Sequence, residues 1–222
     1  MKNVYIFGID SNFAQTIAEY LVDDSRYRFL GYLLNAEYCN AEYIASHPLM
    51  SFESVAEKGG DFAIINCIGY SKMLNIRKKI ADMVKQACIP LETYIHPTAV
   101  IMRNVEVGHG NVIMAGAYIG NRVSIGEGNI FAPFSHTEIG CTVGNYNFFG
   151  SQSVRLNPVY VNDHCVFGGN STVKNGVTIA SYTLIGAGAY ITTNTREYGV
   201  YVQPHTRRVK DVSSLDFVYY MK

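Results

Sequence analysis

From Ile95 to Ile191 a bulky apolar residue falls at every sixth position: Ile95, Ile101, Val107, Ile113, Ile119, Ile125, Phe131, Val143, Phe149, Val161, Phe167, Val173, Ile179, Ile185 and Ile191. Only Thr137 and Arg155 interrupt this run, each exactly in phase. The next position is often glycine, as at Gly108, Gly120, Gly126, Gly144, Gly150, Gly168 and Gly186, and the fifth is always small, β-branched, Asn or Cys, as at Ala99, Val123, Ser135, Cys165 and Ala189. A helix repeats every 3.6 residues and a flat strand every two, so neither requires one large residue in six. Three short strands per turn of a coil do. The pattern predicts the hexapeptide form of the parallel β-helix, with about eighteen residues closing each triangular turn. Each first residue points inward and stacks on its equivalents, the glycine beside it allows a tight corner, and the small fifth residue fits the narrow interior.

Residues 1 to 93 follow a different rhythm. Asn3 to Gly8 is an apolar strand that enters a turn and then a helix bearing Phe13, Ile17, Tyr20 and Leu21. Arg28 to Leu34 and Phe62 to Gly69 read as further strands, and a second helix is predicted from about Ser71 to Ala87, with Met73, Ile76, Ile80, Met83 and Val84 on one face. Alternating strands and helices imply a small parallel sheet of doubly wound, Rossmann-like kind. The chain thus divides into an α/β domain at 1–93, an all-β coil at 94–198 and a tail or cap at 199–222.

Composition removes several function classes. Eighteen basic residues balance eighteen acidic ones, so no nucleic-acid or polyanion partner is indicated. No apolar run reaches membrane-spanning length, and the start MKNVYIFGID reads as a strand, not a signal peptide. The cysteines, Cys39, Cys67, Cys88, Cys141 and Cys165, are odd in number and lack CxxC spacing, which fits a reduced, cytoplasmic protein with buried thiols. No pair of histidines has ligand spacing, so no metal site is expected.

In a doubly wound sheet the first strand-turn-helix is where a nucleotide sits, near the helix N-terminus. Here that turn is Gly8-Ile9-Asp10-Ser11-Asn12, and its lack of further glycines argues against a dinucleotide. Two readings stand: a sugar or nucleotide-sugar pocket formed by Gly8, Ser11, Asn12 and Gly69, or a turn in which Ser11 only caps the helix.

The order of the two halves, the joint Ile95-His96-Pro97-Thr98-Ala99, the pieces Ile68-Gly69 and Asn75-Ile76-Arg77-Lys78-Lys79-Ile80, and the late turn Thr183 to Ala189 resemble the bacterial sugar acetyltransferases that act on bacillosamine precursors and sialic acid. The resemblance covers nearly the whole chain. It implies a left-handed coil, a homotrimer, acetyl-CoA as donor, the amino or hydroxyl group of a sugar or nucleotide sugar as acceptor, and direct transfer assisted by a histidine base. Members of that family carry His followed by Asp or Glu at the third place of a hexapeptide. In phase, that place holds Ile139 here, and Asn157 one turn later.

The coil does contain a His-x-Glu, at His136 and Glu138, flanking Thr137. Thr137 and Arg155 are eighteen residues apart and share a corner of adjacent turns. Their polarity predicts that this corner opens outward, either as a functional cleft or as a loop that bulges for subunit packing. On the first reading His136 is the base, Glu138 orients it, and backbone N–H groups at Asn157 or Gly169 hold the oxyanion. Coenzyme A is expected in a groove between subunits, where Gly169, Gly186 and Ala187 let its pantetheine arm approach the backbone, although Gly168 and Gly186 also serve as corner residues. His109 and His164 read as solvated surface residues, His96 belongs to the domain joint, and His205, Arg207 and Arg208 either touch a CoA phosphate or cover the end of the coil. The outward Tyr118, Phe148, Tyr160 and Tyr190 predict faces that a trimer would bury. The remaining function class is a non-catalytic homologue, a trimeric scaffold or sugar-binding subunit without the usual histidine.

Overall fold

The computed structural model describes residues 1–9 and 12–204. The N-terminal part runs β1 (Lys2–Phe7), α1 (Asn12–Asp23), β2 (Tyr27–Leu34), a 3-10 turn (Ala36–Tyr38), β3 (Tyr43–Ile44), β4 (His47–Ser51), α2 (Phe52–Lys58), β5 (Ala63–Asn66) and α3 (Asn75–Gln86). The sheet order is β3-β4-β2-β1-β5, parallel except at the β3 edge. Apolar residues of α1 pack on one face with Val4, Ile6 and Ile65, and those of α2 and α3 on the other with Phe7, Leu33 and Ile64. The β3–β4 hairpin and α2 were not legible in the sequence because each is too short to show a period.

The second predicted helix starts four residues late. Lys72, Met73 and Leu74 have φ of 50°, 53° and 60°, a left-handed turn that cannot join a right-handed helix. Such backbone costs roughly 1–2 kcal/mol per non-glycine residue, so its surroundings must hold it.

From Tyr94 onward the chain is a parallel coil with three faces. The first runs through Tyr94–Ile95, Val112–Ile113, Ile130–Phe131, Phe148–Phe149, Val166–Phe167, Leu184–Ile185 and Val200–Tyr201. The second contains Tyr118–Ile119, His136–Thr137, Val154–Arg155, Thr172–Val173 and Tyr190–Ile191, and the third Ser124–Ile125, Thr142–Val143, Tyr160–Val161 and Thr178–Ile179. Each strand up to Tyr190–Ile191 pairs in register with the one eighteen residues away, as His136 does with Tyr118 and Val154, and Val200–Tyr201 pairs with Leu184–Ile185. First positions from Ile113 to Ile191 are buried, and Phe131, Phe149 and Phe167 stack at 4.7 and 4.8 Å. Among fifth positions, Asn111, Asn129 and Asn147 form an internal ladder in which each Oδ1 accepts the next turn's backbone N–H.

Two expectations are corrected. The corner bends at the fourth position, where φ is positive at Phe134, Tyr146, Gln152, His164 and Tyr182 as well as at Gly128 and Gly140. Second-position glycines serve stacking instead: a Cβ at Gly150 would stand 2.6 Å from the Phe167 carbonyl oxygen, and one at Gly120 2.6 Å from the Ile139 nitrogen. The corner of Thr137 and Arg155 does not open outward, because both side chains are fully buried. The Arg155 guanidinium donates to Thr137 Oγ1 at 2.6 and 3.2 Å and to Ser153 Oγ at 2.7 Å, and lies 4.2 Å from the centre of the Phe149 ring. Burial pulls it down to about 9, and no carboxylate pairs with it among the described residues.

The two parts share one seam. Arg77 of α3, fully buried, donates from Nε to Gly128 O at 2.7 Å, from Nη2 to Gly110 O at 2.9 Å, and from Nη1 to Ile68 O at 3.1 Å and to Asn66 O. One guanidinium thus joins two carbonyls of the first part to two of the coil. The planar five-donor fork permits this, and an ammonium could not reproduce it.

Candidate active site

Strand β5 ends at Asn66, and the loop from Cys67 to Leu74 leaves the sheet to lie against the coil. Leu74 is fully buried with Ile130, Tyr146 and Val166. Tyr70 rests on Phe148 with ring centres 4.7 Å apart. Met73 O accepts a hydrogen bond of 2.9 Å from His164 Nδ1. His164 is therefore not a solvated histidine. It faces outward from the coil, but this loop covers it, and its ring stacks between Tyr146 and Tyr182 at 5.5 and 4.8 Å. Phe148 is half-buried, with Tyr70 against one side of its ring.

Cavities lie on both sides of this loop. One, of about 530 Å³, sits at the C-terminal ends of β1 and β2 and is lined by Phe7, Ile9, Leu34, Asn35, Glu37, Tyr38, Asn40 and Ile68. Asn35 Oδ1 is buried and has no hydrogen-bond partner, as expected of an acceptor that awaits a donor. A second cavity, of about 790 Å³, shares Asn35, Glu37 and Tyr38 and adds Lys72 and Lys79. On the other side Tyr70 and Phe148 wall a cleft of about 430 Å³ whose floor is Gly150, Ser151, Gly168, Gly169 and Gly186, at the corner between the first and second faces. Gly69 stands between them, and no atom lies within 4 Å of where its Cβ would be.

The sequence-derived site residues fall into three groups. Gly8 is at the end of β1 with φ of +109°, where a Cβ would press on Ile68 at 3.1 Å, and Asn12 starts α1, exposed. Ser11 lies outside the described residues, as do His205, Arg207 and Arg208. Gly169 and Gly186 line the cleft, and Ala187 is exposed beside it. His136 and Glu138 form a pair on the second face, Nε2 to Oε1 at 3.1 Å, with side chains 37% and 39% exposed. The His136 ring stacks on Tyr118 at 4.4 Å. Neither lines the cleft within one chain. Asn157 is exposed at the corner between the second and third faces, so it and Gly169 do not converge on one oxyanion.

Sequence reasoning missed Asn35, Tyr38, Tyr70 and Lys72. A polar run after the second strand, Asn35 to Asn40, was the available signal for the first two. Nothing in the sequence marks the left-handed turn that sets the others.

The remaining titratable groups do not suggest a metal centre or thiol chemistry. No group of three or more His, Cys, Asp or Glu converges among the described residues. Burial pushes the Cys67 and Cys165 thiols up to about 12, so both stay protonated at neutral pH. No helix among the described residues is long and apolar enough to cross a membrane.

Comparison with known proteins places this geometry. No protein-family model matches the chain, and no curated protein matches it. Among solved structures, the acetyltransferase domain of PglB from Neisseria gonorrhoeae FA1090 superposes with a TM-score of 0.81 at 17% identity, over 91% of this chain and 97% of that one. PerB from Caulobacter crescentus, solved in complex with CoA and GDP-perosamine, gives 0.77 at 22% identity over 91% and 95%. WeeI from Acinetobacter baumannii AYE gives 0.76 at 18% identity over 90% and 96%. The chain has the fold of these bacterial proteins.

Proposed function

We propose that the chain is an acetyl-CoA-dependent acyltransferase, left-handed in its coil and Rossmann-like in its first part, that acetylates an amino or hydroxyl group of a nucleotide-linked sugar. The observation that carries this is the pair of spaces flanking the 67–74 loop, one lined by Ile68 and the other by Tyr70. The cavity of Asn35 and Tyr38 suits a nucleotide, with Lys72 and Lys79 beside it for the diphosphate, and the cleft under Tyr70 suits the sugar. Gly8, at the end of β1, and Asn12, at the start of α1, stand at this end of the sheet, and Ser11 is kept with them on the sequence alone. The shared fold supports the reading, since PerB was solved with CoA and a nucleotide sugar.

Coenzyme A fits the same corner on a structural test of its own: Gly168, Gly169 and Gly186 line the cleft without side chains, and the Gly169 N–H, which makes no backbone hydrogen bond, is open to a carbonyl of a diamide chain. In the reaction the acceptor nitrogen or oxygen attacks the thioester carbonyl, the C–S bond breaks, and the acceptor's proton passes to a base. His136, held by Glu138 and Tyr118, is the base we assign. A homotrimer fits this assignment, because it would set the second face of one subunit, with its exposed Val100 and Tyr190 and with Phe134 at the corner beside it, against the cleft of the next. The backbone N–H of either Asn157 or Gly169, which stand at different corners of the coil, is the donor proposed for the oxyanion.

The test is release of CoA thiol, read with DTNB, across GDP- and UDP-linked amino sugars. Turnover is expected, and His136→Ala should lower it by roughly 10²–10⁴-fold with melting temperature unchanged, while His109→Ala is silent. Absence of turnover with every acceptor would favour the non-catalytic reading, for which the presence of Ile139 and Asn157 in the family's histidine places is the supporting observation.

A further inference from the structure

The loop between β5 and α3 makes three consecutive non-glycine residues left-handed, Lys72, Met73 and Leu74. Such a turn persists only where neighbours over-determine it. Three contacts do so here. Leu74 is anchored in the apolar seam, Asn75 Nδ2 donates to Lys72 O at 2.9 Å, and His164 Nδ1 donates to Met73 O at 2.9 Å. Only the last of these comes from a polar side chain of the coil. Because a carbonyl can only accept, the bond also requires the His164 proton on Nδ1.

His164 is itself fixed. It is buried between the Tyr146 and Tyr182 rings, the latter only 2° from parallel to it. Tyr182 Oη in turn reaches Asn75 Oδ1 at 3.4 Å. The corner thus presents a rigid N–H to a turn whose two ends face different cavities: Tyr70 walls the cleft, and Lys72 lines the space beside Asn35 and Tyr38.

We propose that His164 is a positioning residue for the acceptor: its Nδ1–H pins the left-handed turn, and the turn places Tyr70 over the sugar and Lys72 beside the diphosphate. This rests on the acceptor reading given above. The donor arm is assigned to the cleft floor of Gly168, Gly169 and Gly186, which the coil itself holds, whereas the turn supplies only the Tyr70 wall and Lys72, so the two substrates respond differently to loss of the pin.

His164→Phe is the informative variant. It keeps a ring between Tyr146 and Tyr182 and removes the N–H, and a phenylalanine already occupies the equivalent left-handed position at Phe134. Amide exchange on the full chain, which needs no ligand, reads the pin directly. The Leu74 and Asn75 amides, bonded to Tyr70 O and Lys72 O, should exchange at least about tenfold faster in the variant. With the GDP- or UDP-linked amino sugar that turns over, KM for the acceptor should rise about tenfold while kcat and KM for acetyl-CoA stay within about twofold. Adding Met73→Gly, which adopts positive φ without strain, should recover much of the acceptor KM. Unchanged exchange would overturn the pin even if the enzyme proves inactive on every acceptor. Faster exchange with both KM values rising together, or a Met73→Gly double variant worse than His164→Phe, would show a merely structural contact and overturn the positioning role.

Discussion

Arg155 stands at a position where fifteen of seventeen equivalents are bulky and apolar, and its guanidinium is buried without a carboxylate partner. Its hydrogen bonds to Thr137 and Ser153 offset only part of the cost of removing a charge from water. Replacing a buried ion by an apolar residue of similar volume is often neutral or stabilising by about 1–4 kcal/mol. Arg155→Met paired with Thr137→Val should therefore raise the melting temperature, because the pair restores the apolar stripe and removes the buried charge with one of its two hydroxyl partners, leaving only Ser153. Thermal denaturation followed by circular dichroism measures it, and a fall of several degrees would mean that the guanidinium supports the coil.

At the scale of the element, the first-to-second corner is built so that backbone is exposed along three turns. Gly150 and Gly168 have no room for a Cβ toward the next turn, whereas Ala187 already carries one that points to solvent. A bulky residue at 187 consequently enters the proposed donor groove and not the core. Ala187→Phe should abolish acetyl-CoA binding in calorimetry and leave the unfolding transition in place. Unchanged affinity would move the donor to another corner.

Across the whole molecule, the first part covers one corner and much of the first face of the coil, and Arg77 ties the two through four carbonyls. The second face has no such cover: Val100 and Tyr190 are exposed on it, and Phe134 is exposed at the corner beside it. Burying that face against neighbouring copies of the chain is the expectation for a coil of this kind, and light scattering at micromolar concentration should report three chains. A monomer there would remove the source of the histidine that the cleft lacks within one chain.

The coil was legible because its period is a local property: each turn repeats the same demand for one large inward residue and one small one, so Ile113 to Ile191 could be assigned to the interior from spacing alone. Strands β1, β2 and β5 and helix α1 were legible for the same reason. What tertiary structure alone decided depends on contacts distant in sequence. Arg155 turns inward because Thr137 and Ser153 meet it there, and His164 is buried because residue 73, ninety-one positions earlier, lies on it. The candidate cleft exists only where Tyr70 crosses the corner of Gly150, Gly168 and Gly186, and no period in the chain encodes that crossing.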